Sequence, residues 1–284
     1  MANETTSSSI SELYTEIIQE AIFTFQETSV MRPLVTTYNI TGQGKQVAVP
    51  VFPTISASAV AEGSDLANTE VNPTEALITC AEVGVMTTLT DLARESSARP
   101  IAQDIGRVFG ESIAKKVDTD IVDLFGSFAS GNDLGSAGTE LTADLLLQAE
   151  ATLRALNVPK PYVAVFHPKA MFNLKKTLTS AGYVASQAPA ISSVGENVFN
   201  SGFVGSMFGI DLYENANISI DSADDSVGAV FHPISLGLAI KEDFKIETQR
   251  DASMRATEIV GSIMKGQNII KDNYGCAITV DSAF

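Results

Sequence analysis

The two histidines, His167 and His232, each stand in the same tetrapeptide, Val-Phe-His-Pro. Imidazole is the side chain best suited to proton transfer near neutrality and to zinc ligation. A catalytic zinc would need further convergent His, Cys or carboxylate ligands, and no HExxH-type spacing occurs. A histidine between a short strand and a Pro-started helix reads instead as a turn residue. Thr41–Lys45 (TGQGK) approaches a phosphate-binding loop, but Asn39 stands where its first glycine belongs, and Gln46 replaces the hydroxyl after the lysine. No GxSxG elbow is present, and no GxGxxG opens a helix after a strand. The carboxylate pair Asp224–Asp225 lies between Ser222 and Ser226 in a polar, turn-like stretch, where solvation is the default. Cys80 (ALITCAEVGV) and Cys276 (YGCAITV) show neither metal spacing nor a disulfide framework, and their apolar settings mark reduced core thiols. These residues assemble no nucleophile, base and oxyanion donor. The expectation is no enzyme, no cofactor and no metal.

Composition narrows the classes further. A length of 284 residues supports one large domain or two modest ones, and 45% hydrophobic residues supply a sizeable core. Only 18% charged residues leaves a weakly charged surface, as expected where much of the surface meets protein. A net charge of −16 argues against a general nucleic-acid-binding face. The absence of Trp and an aromatic content of 7% argue against a stacking platform. The first residues, MANETTSSS, lack a signal peptide's basic and apolar regions, and no run reaches the ~20 apolar residues of a membrane span. Together these predict a cytoplasmic setting and no membrane partner.

The longest element is Pro100–Phe128, where Ile101, Ile105, Phe109, Ile113, Val117, Ile121 and Phe125 recur every fourth residue. A helix turns once per 3.6 residues, so this stripe winds round the axis and must touch two packed regions. Gly106 and Gly110, one turn apart, allow either a kink or the close approach of another backbone. Ahead of it, Ile10–Thr28 carries helical spacing (Ile10, Leu13, Tyr14, Ile17, Ile18, Ala21, Ile22, Phe25) and reads as an amphipathic arm needing cover. Lys45–Phe52 alternates Val47, Val49 and Val51, and Pro50 confines that strand to an edge. A polar tip bearing Glu62, Asp65, Glu70 and Glu75 follows, and Ala76–Leu92 returns as a second extended run. Such a two-stranded ribbon is marginal alone in water. Beyond the long helix, Ala129–Thr139 reads as a Gly/Ser/Asn linker. Leu141–Asn157 then reads as a helix, Tyr162–Phe166 as a buried strand and KAMFNLKKTL as a helix opened by Pro168. Gly182–Ser201 is a long small-residue loop. Strands are predicted at Ile210–Tyr213, Val227–His232, Phe244–Arg250, Ala256–Lys265 and Tyr274–Val280, with Gly266 and Gly275 marking turns or bulges.

This order of elements resembles the tailed-phage major capsid proteins, of the Hong-Kong-phage-type fold. The resemblance covers nearly the whole chain. It is carried by YVAVFHPKAMFNLKK, by GFVGSMFGIDLYEN at Gly202–Asn215, and by AVFHPISLGLAIKEDFKIETQRD at Ala229–Asp251 running into IVGSIMKGQNIIKDNYGCAITV. It implies an α+β fold with an N-terminal arm (1–36), an extended loop (37–77), a peripheral domain (78–140 and 239–284) holding a long spine helix (100–128), and an axial domain (141–238) tipped by Gly182–Val198. The implied function is a structural protein of the virion. Copies assemble as pentamers and hexamers into an icosahedral head enclosing double-stranded DNA, in the host cytoplasm. Implied partners are copies of itself, scaffolding and portal proteins, and decoration proteins. Candidate inter-subunit contacts on these parts are Ile17, Phe25, Val49, Val51, Glu62, Asp65, Glu70, Arg99, Arg107 and Tyr183. The alternatives are an encapsulin-like nanocompartment shell and a small α/β enzyme.

Overall fold

The computed structural model describes residues 18–25, 29–60, 63, 65, 68–96, 101–180 and 203–283. Two sheets and one long helix organise them. The first sheet has strand order β1-β10-β11-β4, formed by Thr36–Asn39 (β1), Leu236–Asp251 (β10), Ala256–Ile269 (β11) and Ala81–Thr90 (β4). The second has order β5-β12-β9-β6-β8-β7, formed by Leu134–Glu140 (β5), Gly275–Asp281 (β12), Asp225–Phe231 (β9), Tyr162–Phe166 (β6), Ile210–Glu214 (β8) and Phe203–Met207 (β7). A separate ribbon pairs Gln46–Val51 (β2) with Thr74–Thr79 (β3), antiparallel from Gln46↔Thr79 to Val51↔Thr74. Among the described residues β2 has no second neighbour, as Pro50 requires.

The long helix, Ile101–Val122 (α3), does join two packed regions. Its Phe109, Ile113, Val117 and Ile121 enter one core with Leu238, Phe244, Ile259 and Ile263 of the first sheet and Val163, Val165 and Phe231 of the second. The all-buried strand β6 explains how one sheet serves two cores. Val163 and Val165 point into that first core, and Tyr162, Ala164 and Phe166 into a second one, as a period of two dictates. The second core is closed by Leu146, Ala149 and Leu153 of Ala143–Ala155 (α4) and by Ala170, Met171 and Leu174 of Pro168–Ser180 (α5). Thr142 caps α4 by accepting the Leu145 N–H.

Several sequence expectations are corrected. The helix stops at Val122, not Phe128; a 3₁₀ turn follows at Phe125–Ser127. That turn brings the Phe125 and Phe128 rings to 5.6 and 6.3 Å from Phe231. The expected linker is strand β5 over Leu134–Glu140, held by backbone pairing to β12, which needs no large side chains. The extended run at 76–92 breaks at Cys80: β3 belongs to the ribbon, and β4 crosses into the first sheet against β11 and ends at Thr90, where the short helix Asp91–Ser96 (α2) begins. Gly266 lies inside β11, where any Cβ would run into the Thr79 carbonyl as the ribbon base crosses the sheet. Gly275 opens β12 beneath the Phe128 ring.

The arm finds part of its cover within the chain. Its described helical residues 18–25 (α1) lie on α3 of the same chain, with Ala21 and Phe25 buried in the first core. Gly110 is where they touch: a Cβ there would stand 2.5 Å from the Ala21 carbonyl oxygen and 3.0 Å from the Phe25 nitrogen. Of the two readings of the glycine pair, close backbone approach is the one seen at Gly110.

Candidate functional site

The two histidines do the same small job. His167 Nδ1 accepts the Lys169 N–H at 3.2 Å, and His232 Nδ1 accepts the Ile234 N–H at 3.1 Å. Each imidazole thus caps the turn that its proline begins. Burial pushes both pKa values down, and Lys169 and Lys271 add to the effect. The cysteines are free and buried. Burial pushes the Cys276 thiol up to about 12, so it carries no reactive thiolate at neutral pH. Among the described residues no group of three or more His, Cys, Asp or Glu is placed to hold a metal ion. No described helix is long and apolar enough to cross a membrane.

What the chain does present is uncovered apolar surface. The ribbon turns Val47, Val49, Val51, Ala76 and Ile78 to one face, of which only Ile78 is buried. It meets a small core of Ile78, Cys80 and Ala239, with Val49, Tyr38, Ile40 and Met264 packed around it. The opposite face and the described residues of the tip are open. Phe52 is 64% exposed, and Ile55, Val60, Val71 and Leu77 are exposed as well. A second open patch lies at the other end of the first sheet, where Leu92 is 78% and Met254 61% exposed. They line a groove of about 400 Å³ with Thr90, Asp91 and Arg255. Soluble monomers rarely leave grouped large apolar side chains in water.

The candidate contact residues divide accordingly. Asp65 and Glu70 are exposed on the ribbon tip, and Val49 and Val51 are half-buried on one face of β2. Phe25 is corrected: it is 2% exposed, its ring 5.8 Å from Phe244, and so it belongs to the chain's own core. Arg107 is exposed but engaged within the chain, donating to Glu20 of α1 at 3.0 Å. Ile17, Glu62, Arg99 and Tyr183, with the loop Gly182–Val198, lie outside the described residues.

Sequence reasoning missed two polar anchors on α3. Asp118 is fully buried and accepts from Ser29 Oγ (2.7 Å), Val30 N (2.9 Å), Met31 N (3.2 Å) and Asn215 Nδ2 (3.2 Å). Burial pushes its carboxyl above the usual range, against the pull of those donors. Asp120 accepts from Lys116 (2.8 Å) and from Lys265 of β11 (2.6 Å), whose side chain is 1% exposed. Burial alone would raise Asp120, but the two ammonium groups prevail and hold it below the usual range. The signal for Asp118 was present: it follows Ala114 by one turn and precedes Ile121 and Val122 on the apolar stripe.

The comparisons with known proteins agree with this geometry. A family model described as phage capsid protein matches residues 74–263. The fold is similar to the capsid of Ralstonia phage GP4 (TM-score 0.74, 10% identity, covering 92% of this chain and 91% of that one). It is also similar to the capsid of the cyanophage P-SCSP1u (TM-score 0.67, 16% identity, 90% and 89%). The SrpI encapsulin of Synechococcus elongatus shares it too (TM-score 0.62, 12% identity, 87% and 86%). No curated protein matches the chain by sequence. With two thirds of its length matched by one family model and a shell-protein fold throughout, the chain belongs to the phage capsid protein family and is a shell-forming capsid protein of the Hong-Kong-phage-type fold.

Proposed function

We propose that copies of this chain associate as pentamers and hexamers that close into an icosahedral head around double-stranded DNA. The first sheet with α3 serves as the peripheral domain and the ribbon with residues 52–73 as the loop laid over a neighbour. The second sheet with α4 and α5 serves as the axial domain, which takes in β5 and β12 from the two segments (78–140 and 239–284) that the resemblance assigned to the peripheral domain. The observation that carries this reading is the ribbon. A two-stranded element with Phe52, Ile55, Val60 and Val71 in water gains its stability from a second copy. Each copy covers the next, a head-to-tail interface that closes into rings. The acidic tip residues Asp65 and Glu70 are exposed, ready to meet a neighbour's cations. An acidic chain suits a wall that holds DNA without gripping it, since phosphate affinity comes from Lys and Arg. Each histidine caps a turn rather than facing a partner acid or base, which supports a structural, non-enzymatic role. Scaffolding, portal and decoration proteins are its further partners.

Particles purified from an infected host test it. The reading expects double-stranded DNA inside and five- and six-fold clusters in the shell. Particles built only from pentamers around one enzyme cargo would instead make the chain a nanocompartment wall.

A further inference from the structure

The carboxylate of Asp118 joins three parts of the chain that are far apart in sequence. Oδ1 accepts from Ser29 Oγ and Met31 N, and Oδ2 accepts from Val30 N and Asn215 Nδ2. Ser29–Met31 is the elbow through which the arm leaves α3 for β1. Asn215 directly follows β8 of the second sheet, where its N–H donates to the Phe166 carbonyl at 3.0 Å and its Oδ1 accepts the Asn217 N–H at 2.8 Å. Each oxygen therefore has two donors, and Oδ2 is divided between the arm and the second sheet.

We propose that Asp118 is a coupling pin, through which the arm elbow, the long helix and the end of β8 shift as one unit. The physical reason is the carboxylate's geometry. Four donors fix its plane, and with no exposure to water an oxygen that loses a donor finds no replacement. A displacement of the second sheet that pulls on Asn215 rotates the carboxylate and weakens its grip on Val30 and Met31. A displacement of the arm acts on Asn215 in reverse. In a shell whose copies take different settings, arm position and the angle between the two sheets then change together. That consequence rests on the shell reading, but the coupling is a property of the single chain.

Hydrogen exchange on the full chain, read by mass spectrometry, tests the coupling directly. Asn215→Ala removes one donor on the sheet side, and Ser29→Ala one on the arm side. The pin predicts roughly tenfold faster exchange across the boundary: at Val30 and Met31 in Asn215→Ala, and at Asn215 in Ser29→Ala. Asp118→Asn sets an amide N–H₂ against two donors and should loosen both segments together. The single-donor variants spare the carboxylate, so they remain readable if Asp118→Asn does not fold. If each single variant speeds exchange only in its own segment, Asp118 is a local tie and the proposal is overturned.

Discussion

Replacing Gly110 by alanine sets two effects of opposite sign against each other. In an isolated helix the change stabilises by about 1 kcal/mol, because glycine carries the larger backbone entropy cost. Here the new Cβ would stand 2.5 Å from the Ala21 carbonyl oxygen, about 1 Å inside the ~3.5 Å at which non-bonded atoms rest. Both partners are helix backbone, so α1 must lift off α3 rather than adjust a side chain. Lifting it opens the site of Phe25, whose burial contributes about 1.5–3 kcal/mol, with a further penalty for the void left behind. Ala21 and the Arg107–Glu20 pair lose contact in the same movement. The losses exceed the gain, and Gly110→Ala should destabilise the chain by about 2 kcal/mol. Urea unfolding of the unassembled protein measures this, with limited proteolysis of the arm as an independent readout. A variant stabilised by ~1 kcal/mol with an equally protected arm would refute the claim that this glycine exists for the helix crossing.

Further outcomes follow from other contacts. Asp120→Ala strands Lys265, 1% exposed, without its carboxylate and should cost about 3 kcal/mol, whereas Lys265→Met should cost far less; urea midpoints at constant slope compare the two. The histidine caps make stability pH-dependent. Both folded pKa values lie below 6.5, so their contribution is present above pH 6.5 and is lost as pH falls through the folded values. The His167→Gln, His232→Gln double variant should flatten thermal stability against pH below 6.5, read by calorimetry. Phe52→Ser with Ile55→Ser touches only exposed side chains. It should leave unfolding of the unassembled chain within about 0.5 kcal/mol while reducing particle yield, as seen by gradient sedimentation.

Much of this architecture was legible because periodicity reports burial. The stripe from Ile105 to Ile121 gave the long helix, and the full apolar run Tyr162–Phe166 gave a strand covered on both faces. VFHP reads as a turn, and the structure adds that both histidines cap it with the same bond. What stayed hidden depends on partners distant in sequence. Leu134–Glu140 has a linker's composition, and only the facing backbone of β12 makes it a strand. The straight reading of 100–128 missed the turn after Val122, whose Phe125 and Phe128 pack on Phe231, more than a hundred residues later. Cys80 divides two strands whose residues look continuous, since the division is set by β11 on one side and β2 on the other. Among the contact residues, the exposed acids of the tip could be read from polarity. Phe25 could not, because helical spacing shows that a face is buried without showing whose surface buries it.

The central claim is that this chain completes its burial only on other copies of itself. Sedimentation velocity of the purified full chain, with negative-stain microscopy of the fast fraction, addresses it most directly. The account predicts rapidly sedimenting closed particles in which residues 52–60 and 68–77 are protected from proteolysis. A strict monomer at high concentration, with that ribbon already protected, would contradict it.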